Sequence, residues 1–332
     1  MLDWIADMQI KTIALVGISK NSGKTTMLNY IIQSHPKLRW GVMTTGIDGE
    51  DKDVIFKTPK PKVMLGRGHI FCCDSKTLDA HGSRVTVLSG TQSAGRKLWL
   101  AEAQEPLETE ITGPSAVSAQ ISVARAMQRH NAQKVLIDGS LDRKSIALEP
   151  DVHALILALG ASYGNIAGIV QESSRLKALA AIPACKLSPY AFRRLLHSPS
   201  ILIRQKSRWT DTGLTSLIGH ERKFLSAIES QPQAVYIPGA YTASLHKKLG
   251  KTLALADTVI VFRHPECIKL QLQELRDFLA TSSIQCLIPF RIKAFALNSW
   301  SPTGAVQDAV DFREQLRQAF PGENLIDIRE IG

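Results

Sequence analysis

The sequence predicts an α/β protein built on a mainly parallel sheet with helices on both faces, and three observations carry that expectation. Short apolar runs rich in Val, Ile and Leu recur along the chain, each about as long as a buried strand and ending near Gly, Asp or Asn. Segments with helical spacing of apolar residues separate several of them. Buried strands alternating with helices form parallel sheets, because the crossover helices must pack back over the sheet.

The strand-like runs, in order, are "KTIALVG" (11–17), "RWGVMTTG" (39–46), "KVLIDG" (134–139), "HALILALG" (153–160), "AVYIPG" (234–239), "DTVIVF" (257–262), "KAFALN" (293–298) and "NLIDIR" (324–329). Helical periodicity marks "GKTTMLNYIIQS" (23–34), "SAVSAQISVARAMQRH" (115–130), "CIKLQLQELRDFLA" (267–280) and "QDAVDFREQLRQAF" (307–320). Between about 50 and 105 the pattern changes to shorter extended pieces with Pro and Gly, "TPKPKVMLGRGHIF" and "SRVTVLSG", which reads as a β-rich insertion after the second strand. Residues 166–230 carry mostly helical signals and read as a basic, helical insertion. The expected division is therefore 1–165, with the β-rich insertion inside it, then 166–230, then an α/β part at 231–332 that completes the same sheet. No internal repeat or low-complexity segment is present.

Composition narrows the function classes. The chain has 332 residues, 44% of them hydrophobic, and no apolar stretch approaches the roughly 20 residues that span a bilayer. No positively charged leader precedes an apolar segment at the start, so the expected location is cytoplasmic, with no membrane association. Five cysteines without a CxxC pair read as buried, reduced thiols, and the neighbours Cys72 and Cys73 are badly placed to clamp one metal. The nine histidines form no legible Ser/His/Asp or HExxH arrangement, and His153 reads as a core residue. The net charge of +10 suits nucleic acid, an acidic partner or plain solubility. The densest basic stretch, "AFRRLLHSPSILIRQKSRW" (191–209), lacks a helix-turn-helix, an RRM signature or a zinc finger. It reads as a solvated face or a protein-partner surface, and nucleic acid is disfavoured.

The stretch "GISKNSGKTT" (17–26) joins the first strand to the first helix. It departs from strict phosphate-loop spacing: counting back from Lys24, the first-glycine position holds Ile18, and Gly17 sits one residue early. A phosphate loop needs backbone N–H groups curled around phosphate oxygens at a helix N-terminus, a lysine for the terminal phosphates and a hydroxyl for magnesium. Gly23 permits close backbone approach, Lys24 is the phosphate lysine and Thr25 the magnesium ligand; Asn21, Ser22 and Thr26 complete the nucleotide-binding set. Gly17 still supplies the turn out of the strand. Lys20 adds a second positive charge, as signature lysines do in some dimeric P-loop ATPases. The expected sheet is thus P-loop NTPase-like, with ATP and Mg2+ as cofactors. A plain glycine turn is the bland alternative.

Such a loop needs a carboxylate that orients magnesium at the end of a neighbouring strand. Asp138, after the apolar Lys134–Ile137 run, is the first candidate, with a helix cap as its alternative. Asp142 and Arg143 follow in the same loop, within reach of a γ-phosphate. Asp48 in "TTGIDGED" (44–51) is a second catalytic or magnesium-linked candidate, since P-loop enzymes such as dethiobiotin synthetase and the Mrp and MinD proteins place an Asp there. An ordinary turn would also account for it. Asn298 ends a late strand, where the same enzymes use an asparagine to read the purine base; a turn before Ser-Pro is the alternative.

The segments "VGISKNSGKTTMLNYII", "GIDGEDKDVIFKTPKPKV", "ITGPSAVSAQ", "LIDGSLDRKS", "YIPGAYTASL" and "NSWSPTGAVQDAVDFREQL" occur in the order expected for the KamB-type subunit of lysine 5,6-aminomutase reactivase, which the chain resembles from about 10 to 330. The loop KNSGKTT is part of that resemblance. The resemblance implies repair of an adenosylcobalamin-dependent aminomutase of lysine or ornithine type, in which ATP drives release of damaged cobalamin. It also implies a MutS-like ATPase subunit as partner, and a homodimer is compatible with it. Two alternatives stay open on the residues alone. One is a small-molecule kinase or ligase of the dethiobiotin synthetase-like group, with Ser115 and Gln120 as substrate contacts; the other is a nucleotide-binding regulator that does not hydrolyse.

Overall fold

The computed structural model describes residues 2–19, 21–45, 62–93, 95–140, 146, 148–206, 208–300 and 308–330. The chain forms two compact units: Met1–Val170 with Arg291–Gly332, and Gln171–Phe290. Its first part runs β1 (Thr12–Gly17), α1 (Lys24–Ser34), β2 (Trp40–Thr44), β3 (Val63–Leu65), β4 (Ile70–Asp74), α2 (Ser75–His81), β5 (Val85–Ser93), β6 (Arg96–Ala103), β7 (Leu107–Thr109), α3 (Val117–Arg129), β8 (Lys134–Ser140) and β9 (Ala154–Gly160). Helix α4 (Ile166–Ala180) leads into the second unit, which holds α5 (Pro189–His197), β10 (Leu202–Gln205), β11 (Arg208–Asp211), α6 (Glu221–Glu229), β12 (Ala234–Ile237), β13 (Tyr241–Thr242), α7 (Ala243–Leu255), β14 (Val259–Phe262), β15 (Ile268–Lys269), α8 (Leu272–Thr281) and β16 (Ile284–Cys286). The chain then returns to the first unit as β17 (Ile292–Asn298), α9 (Ala309–Ala319) and β18 (Leu325–Asp327).

The first unit is organised by a nine-stranded sheet in the order β18-β17-β9-β1-β8-β2-β4-β6-β5. The seven strands from β18 to β4 are parallel, and β6 runs antiparallel to both β4 and β5. All six residues of β1 are buried, as expected for a central strand covered on both sides. On one face Ile13, Leu15, Val42, Leu136 and Ile156 pack with Met27, Leu28, Ile31 and Ile32 of α1. Each of these helix side chains contributes about 1.5–3 kcal/mol by leaving water. On the other face Gly41 and Val135 meet Met127 of α3, and a Cβ at Gly41 would stand 2.9 Å from the Met127 sulfur. Helices therefore cover both faces.

The second unit is a smaller α/β body with a five-stranded sheet, β11-β10-β12-β14-β16. Strands β12, β14 and β16 are parallel; β10 and β11 form an antiparallel hairpin beside β12. Two differences from the sequence division emerge. The region 50–105 is β-rich in its described part, as expected, but β4 pairs parallel with β2 and carries β6 and β5, so it widens the main sheet. Residues 231–332 do not complete one sheet either. Only β17 and β18 join the first sheet, while β12, β14 and β16 pair with β10 from the stretch expected to be helical. A buried parallel strand looks alike in any sheet, so apolar runs alone do not assign membership. Among the described residues no helix is long and apolar enough to cross a membrane.

Candidate functional site

The carboxyl end of β1 leads into the loop singled out in the sequence. Ile18, at the strict first-glycine position, is buried, and its N–H donates to the Ala158 carbonyl of β9 at 3.0 Å. Gly17 takes over the steric role. A Cβ there would collide with the Ser22 hydroxyl and stand 3.1 Å from Lys24 Nζ, so the loop and the lysine fold back over this residue. Gly17 is still paired within β1, and Ile18 stays hydrogen-bonded to β9, so the loop opens only after Ile18.

Asn21 (φ 55°) and Gly23 (φ 85°) both adopt left-handed backbone. Such residues curl the chain in the manner of anion-binding concavities lined by N–H groups. Gly23 is also the N-cap of α1, and no side chain caps that helix, so its first-turn N–H groups keep their donor capacity. Ser22 is fully buried, yet its hydroxyl has no hydrogen-bond partner among the described residues, and neither has the side-chain N–H2 of Asn21. Buried polar groups are normally paired, so this loop holds unused hydrogen-bonding capacity where an oxyanion would be held.

Thr25 Oγ1 donates to Asp138 Oδ2 at 3.2 Å, which joins the first turn of α1 to β8. Asp138 lies opposite Leu15 of β1 and Thr44 of β2, and β8 continues past it to Ser140, so it sits within the strand rather than at its tip. Its carbonyl accepts from Thr44 Oγ1 at 3.1 Å and from the Thr45 N–H at 2.8 Å. These two threonines were not singled out in the sequence, although they begin the "TTG" turn. Thr26 is exposed on the first turn of α1. Lys20, Asp48, Asp142 and Arg143 lie outside the described residues.

Three late or distant residues hold the loop from behind. Asn298, at the end of β17, donates through Nδ2 to the Asn21 carbonyl at 2.9 Å and accepts the Trp300 N–H at 3.1 Å. Both ends of the amide expected to meet a purine edge are thus engaged by main chain, and Asn298 fastens the left-handed turn. Gly160, at the end of β9, lies so close that a Cβ would stand 2.6 Å from Ser22 Cα. Any Cβ on Gly23 would collide with Ile328 beyond β18. Ser19 and Ser162 join their hydroxyls at 2.8 Å. Gly160 and Ile328 each lay in a strand-like run, "HALILALG" and "NLIDIR", but neither run signalled contact with the loop.

The "ITGPSAVSAQ" segment approaches the neighbouring strand end. The Thr44 N–H donates to Thr112 O at 3.3 Å, and only glycine fits at 113 against the Thr44 carbonyl. Gln120 is buried, and its side-chain N–H2 donates to Pro114 O at 2.8 Å. Exposed Ser115 donates its N–H to Ser93 Oγ at 3.3 Å. Gln120 therefore braces the turn before α3.

The remaining sequence readings concern inert groups. Cys72 and Cys73 are both buried and reduced; burial pushes both thiols up, Cys73 to about 12. His153 Nδ1 accepts the Thr12 N–H at 3.2 Å, and burial, reinforced by Arg291, holds its ring below the ordinary histidine range. It is a half-buried histidine satisfied by main chain, not a fully buried core residue. Comparison with protein-family models, curated proteins and solved structures returns no match.

Proposed function

We propose that the chain is a P-loop-type protein that binds a magnesium nucleoside triphosphate, ATP in the first instance, at Gly17–Thr26. The observation that carries this reading is the Thr25–Asp138 hydrogen bond beneath an uncapped helix start with buried, unpaired donors. The residues present fit phosphate oxygens: the Ser22 hydroxyl and the Asn21 side-chain N–H2 are buried without a partner among the described residues, the first turn of α1 has no side-chain cap, and Lys24 Nζ folds back over Gly17. Thr25 and Asp138 fit a magnesium site, because this ion commonly takes one or two protein groups and fills its shell with water and phosphate. Magnesium would supply neutralisation of charge on the phosphates. Lys24 would share that charge, Asp138 would orient the ion's waters through its carboxylate, and Gly160, Asn298 and Ile328 would keep the loop in its binding shape.

The wider role follows from the sequence resemblance and rests on it: a cytoplasmic, chaperone-like ATPase subunit that restores an inactivated adenosylcobalamin-dependent aminomutase together with a MutS-like ATPase. Calorimetric titration with ATP, with and without magnesium, tests the site. Magnesium-dependent binding is expected, and no binding by folded protein overturns the nucleotide reading. The wider role is tested separately by adding an aminomutase carrying damaged cobalamin and the MutS-like subunit. Cobalamin release that requires ATP and this chain is expected; release at the same rate without this chain overturns the reactivase role while leaving the site intact.

A further inference from the structure

From Ser173 to Thr210 the sequence holds eight lysines and arginines and no aspartate or glutamate. Some of these cations are internal. Arg175 pairs with Glu172 at 2.8 Å and with Glu266 at 3.4 Å. Arg204 is half-buried, with its guanidinium 6.0 Å from the Trp209 ring. Lys186, Arg193, Arg194, Lys206 and Arg208 are exposed, and none forms an ion pair among the described residues. Like charges in such number repel one another, and no ion pair among the described residues offsets these five.

Helix α5 orders part of this charge. Its inner side is anchored by Leu195, fully buried with Leu202, Trp209, Ala234 and Tyr236, and by Ala191, Phe192 and Leu196 packed around them. Its outer stripe is Tyr190, Arg193, Arg194 and His197, at positions i, i+3, i+4 and i+7, and all four are exposed. Tyr190 is 78% exposed, among the most exposed large side chains of the protein. Ser188 caps the helix and Pro189 occupies its first turn, so the stripe is presented on a pre-formed element. Tyrosine and arginine are the side chains most often found as binding hot spots, and a pre-ordered helix loses little entropy on docking.

We propose that the outer stripe of α5 is a docking surface for an acidic protein surface, independently of what the loop at Gly17 binds. Charge complementarity selects the partner, and its distribution argues against nucleic acid. Trp209 faces the α5 side, and successive strand residues point to opposite sides, so Arg208 lies on the face away from α5. The cations therefore do not line one groove that could track a phosphate backbone, and a single tyrosine on a convex helix is no platform for successive bases.

The test uses the full chain and two fluorescein-labelled probes: a helical Glu- and Leu-rich peptide of about 20 residues, and a deoxythymidine oligonucleotide of about 20 nucleotides, a length that spans one or more typical single-strand sites. Fluorescence anisotropy should show peptide binding that weakens with salt. The Arg193→Gln/Arg194→Gln double variant should lose at least about tenfold in peptide affinity and Tyr190→Ala several-fold, while Lys247→Gln/Lys251→Gln on α7 changes it little. All of these side chains are exposed, so folding is preserved. Tighter binding of the oligonucleotide than of the peptide would identify a nucleic-acid surface and overturn the proposal. Equal loss in the α5 and α7 variants would reduce the effect to net charge, and absence of peptide binding would leave α5 a solvated face; both refute docking.

Discussion

Each unit contains a parallel strand that runs through a glycine-containing loop into a helix, and the two loops treat the helix start in opposite ways. In the second unit β12 passes through Pro238 and Gly239 to α7, whose N-cap is Thr242; its hydroxyl accepts the Leu245 N–H at 3.4 Å. Tyr241, just before the cap, is buried and stacks on Phe278 at 4.9 Å between centroids. That helix satisfies its own end. In the first unit β1 passes through a left-handed Asn21 and Gly23 to α1, which has no side-chain cap and a buried, unpaired Ser22 hydroxyl. The same local topology can thus end in a side-chain cap or leave the helix start uncapped. One hydroxyl at the cap position separates the two outcomes.

Five measurements would break or sharpen that contrast. The largest effect is expected from Lys24→Ala. Charge-assisted hydrogen bonds to phosphate are worth about 1.5–3 kcal/mol, so magnesium-ATP affinity should fall at least about tenfold in calorimetry while circular dichroism stays unchanged. Asp138→Asn comes next: it keeps the shape and removes a charge, so turnover should fall about tenfold with affinity altered only a few-fold. Equal loss of both would move Asp138 from ion orientation to loop support. Asn298→Ala removes the bond to the Asn21 carbonyl, and ATP affinity should drop several-fold. Slower hydrogen exchange at Asn21–Gly23 in that variant, rather than faster, would refute its fastening role.

The fourth measurement concerns acid. His264, in the second unit, titrates at about 4, chiefly through burial, with Glu266 acting upwards and Lys269 and Arg263 downwards. Its folded value lies below the ordinary 6.5, so the unfolded chain binds the extra proton first. Stability of the second unit is therefore complete above pH 6.5 and declines as pH falls towards 4. Trp209 is the one tryptophan between residues 171 and 290, and its indole resonance can follow urea unfolding of that unit. His264→Asn should flatten the decline, and an unchanged slope would assign it to other groups. The smallest effect is that of Thr242→Ala: about 1 kcal/mol lower stability from the lost cap, and unchanged ATP affinity.

The elements that sequence reading found are those whose signal is local. The run "KTIALVG" became β1 and "HALILALG" became β9, because continuous apolar strands are needed wherever a sheet is covered on both faces. Thr25 and Asp138, singled out in the sequence by residue type and by their place near strand ends, do meet in a hydrogen bond, although Asp138 lies inside its strand rather than at the tip. Strand β4, "IFCCD", was hidden among Pro and Gly, and its place beside β2 depends on pairing that no local pattern encodes. Gly160 and Ile328 touch the loop from more than a hundred residues away, and neither residue type advertises the contact. Asn298 was found for a base-reading chemistry, whereas its bonds in the structure go to main chain.

The late position of Asn298 and Ile328 has a consequence for biosynthesis. Strands β17 and β18 leave the ribosome after the second unit, with β17 starting about 130 residues behind the end of β9, which is a delay of about 7–26 seconds at usual elongation rates. Throughout that interval the nascent chain carries the whole Gly17–Thr25 loop, yet the Asn21 carbonyl lacks its amide donor and Gly23 lacks the wall formed by Ile328. A product truncated between residues 139 and 297 keeps the whole Gly17–Thr26 loop and Asp138 and lacks the two late side chains that hold the loop in shape.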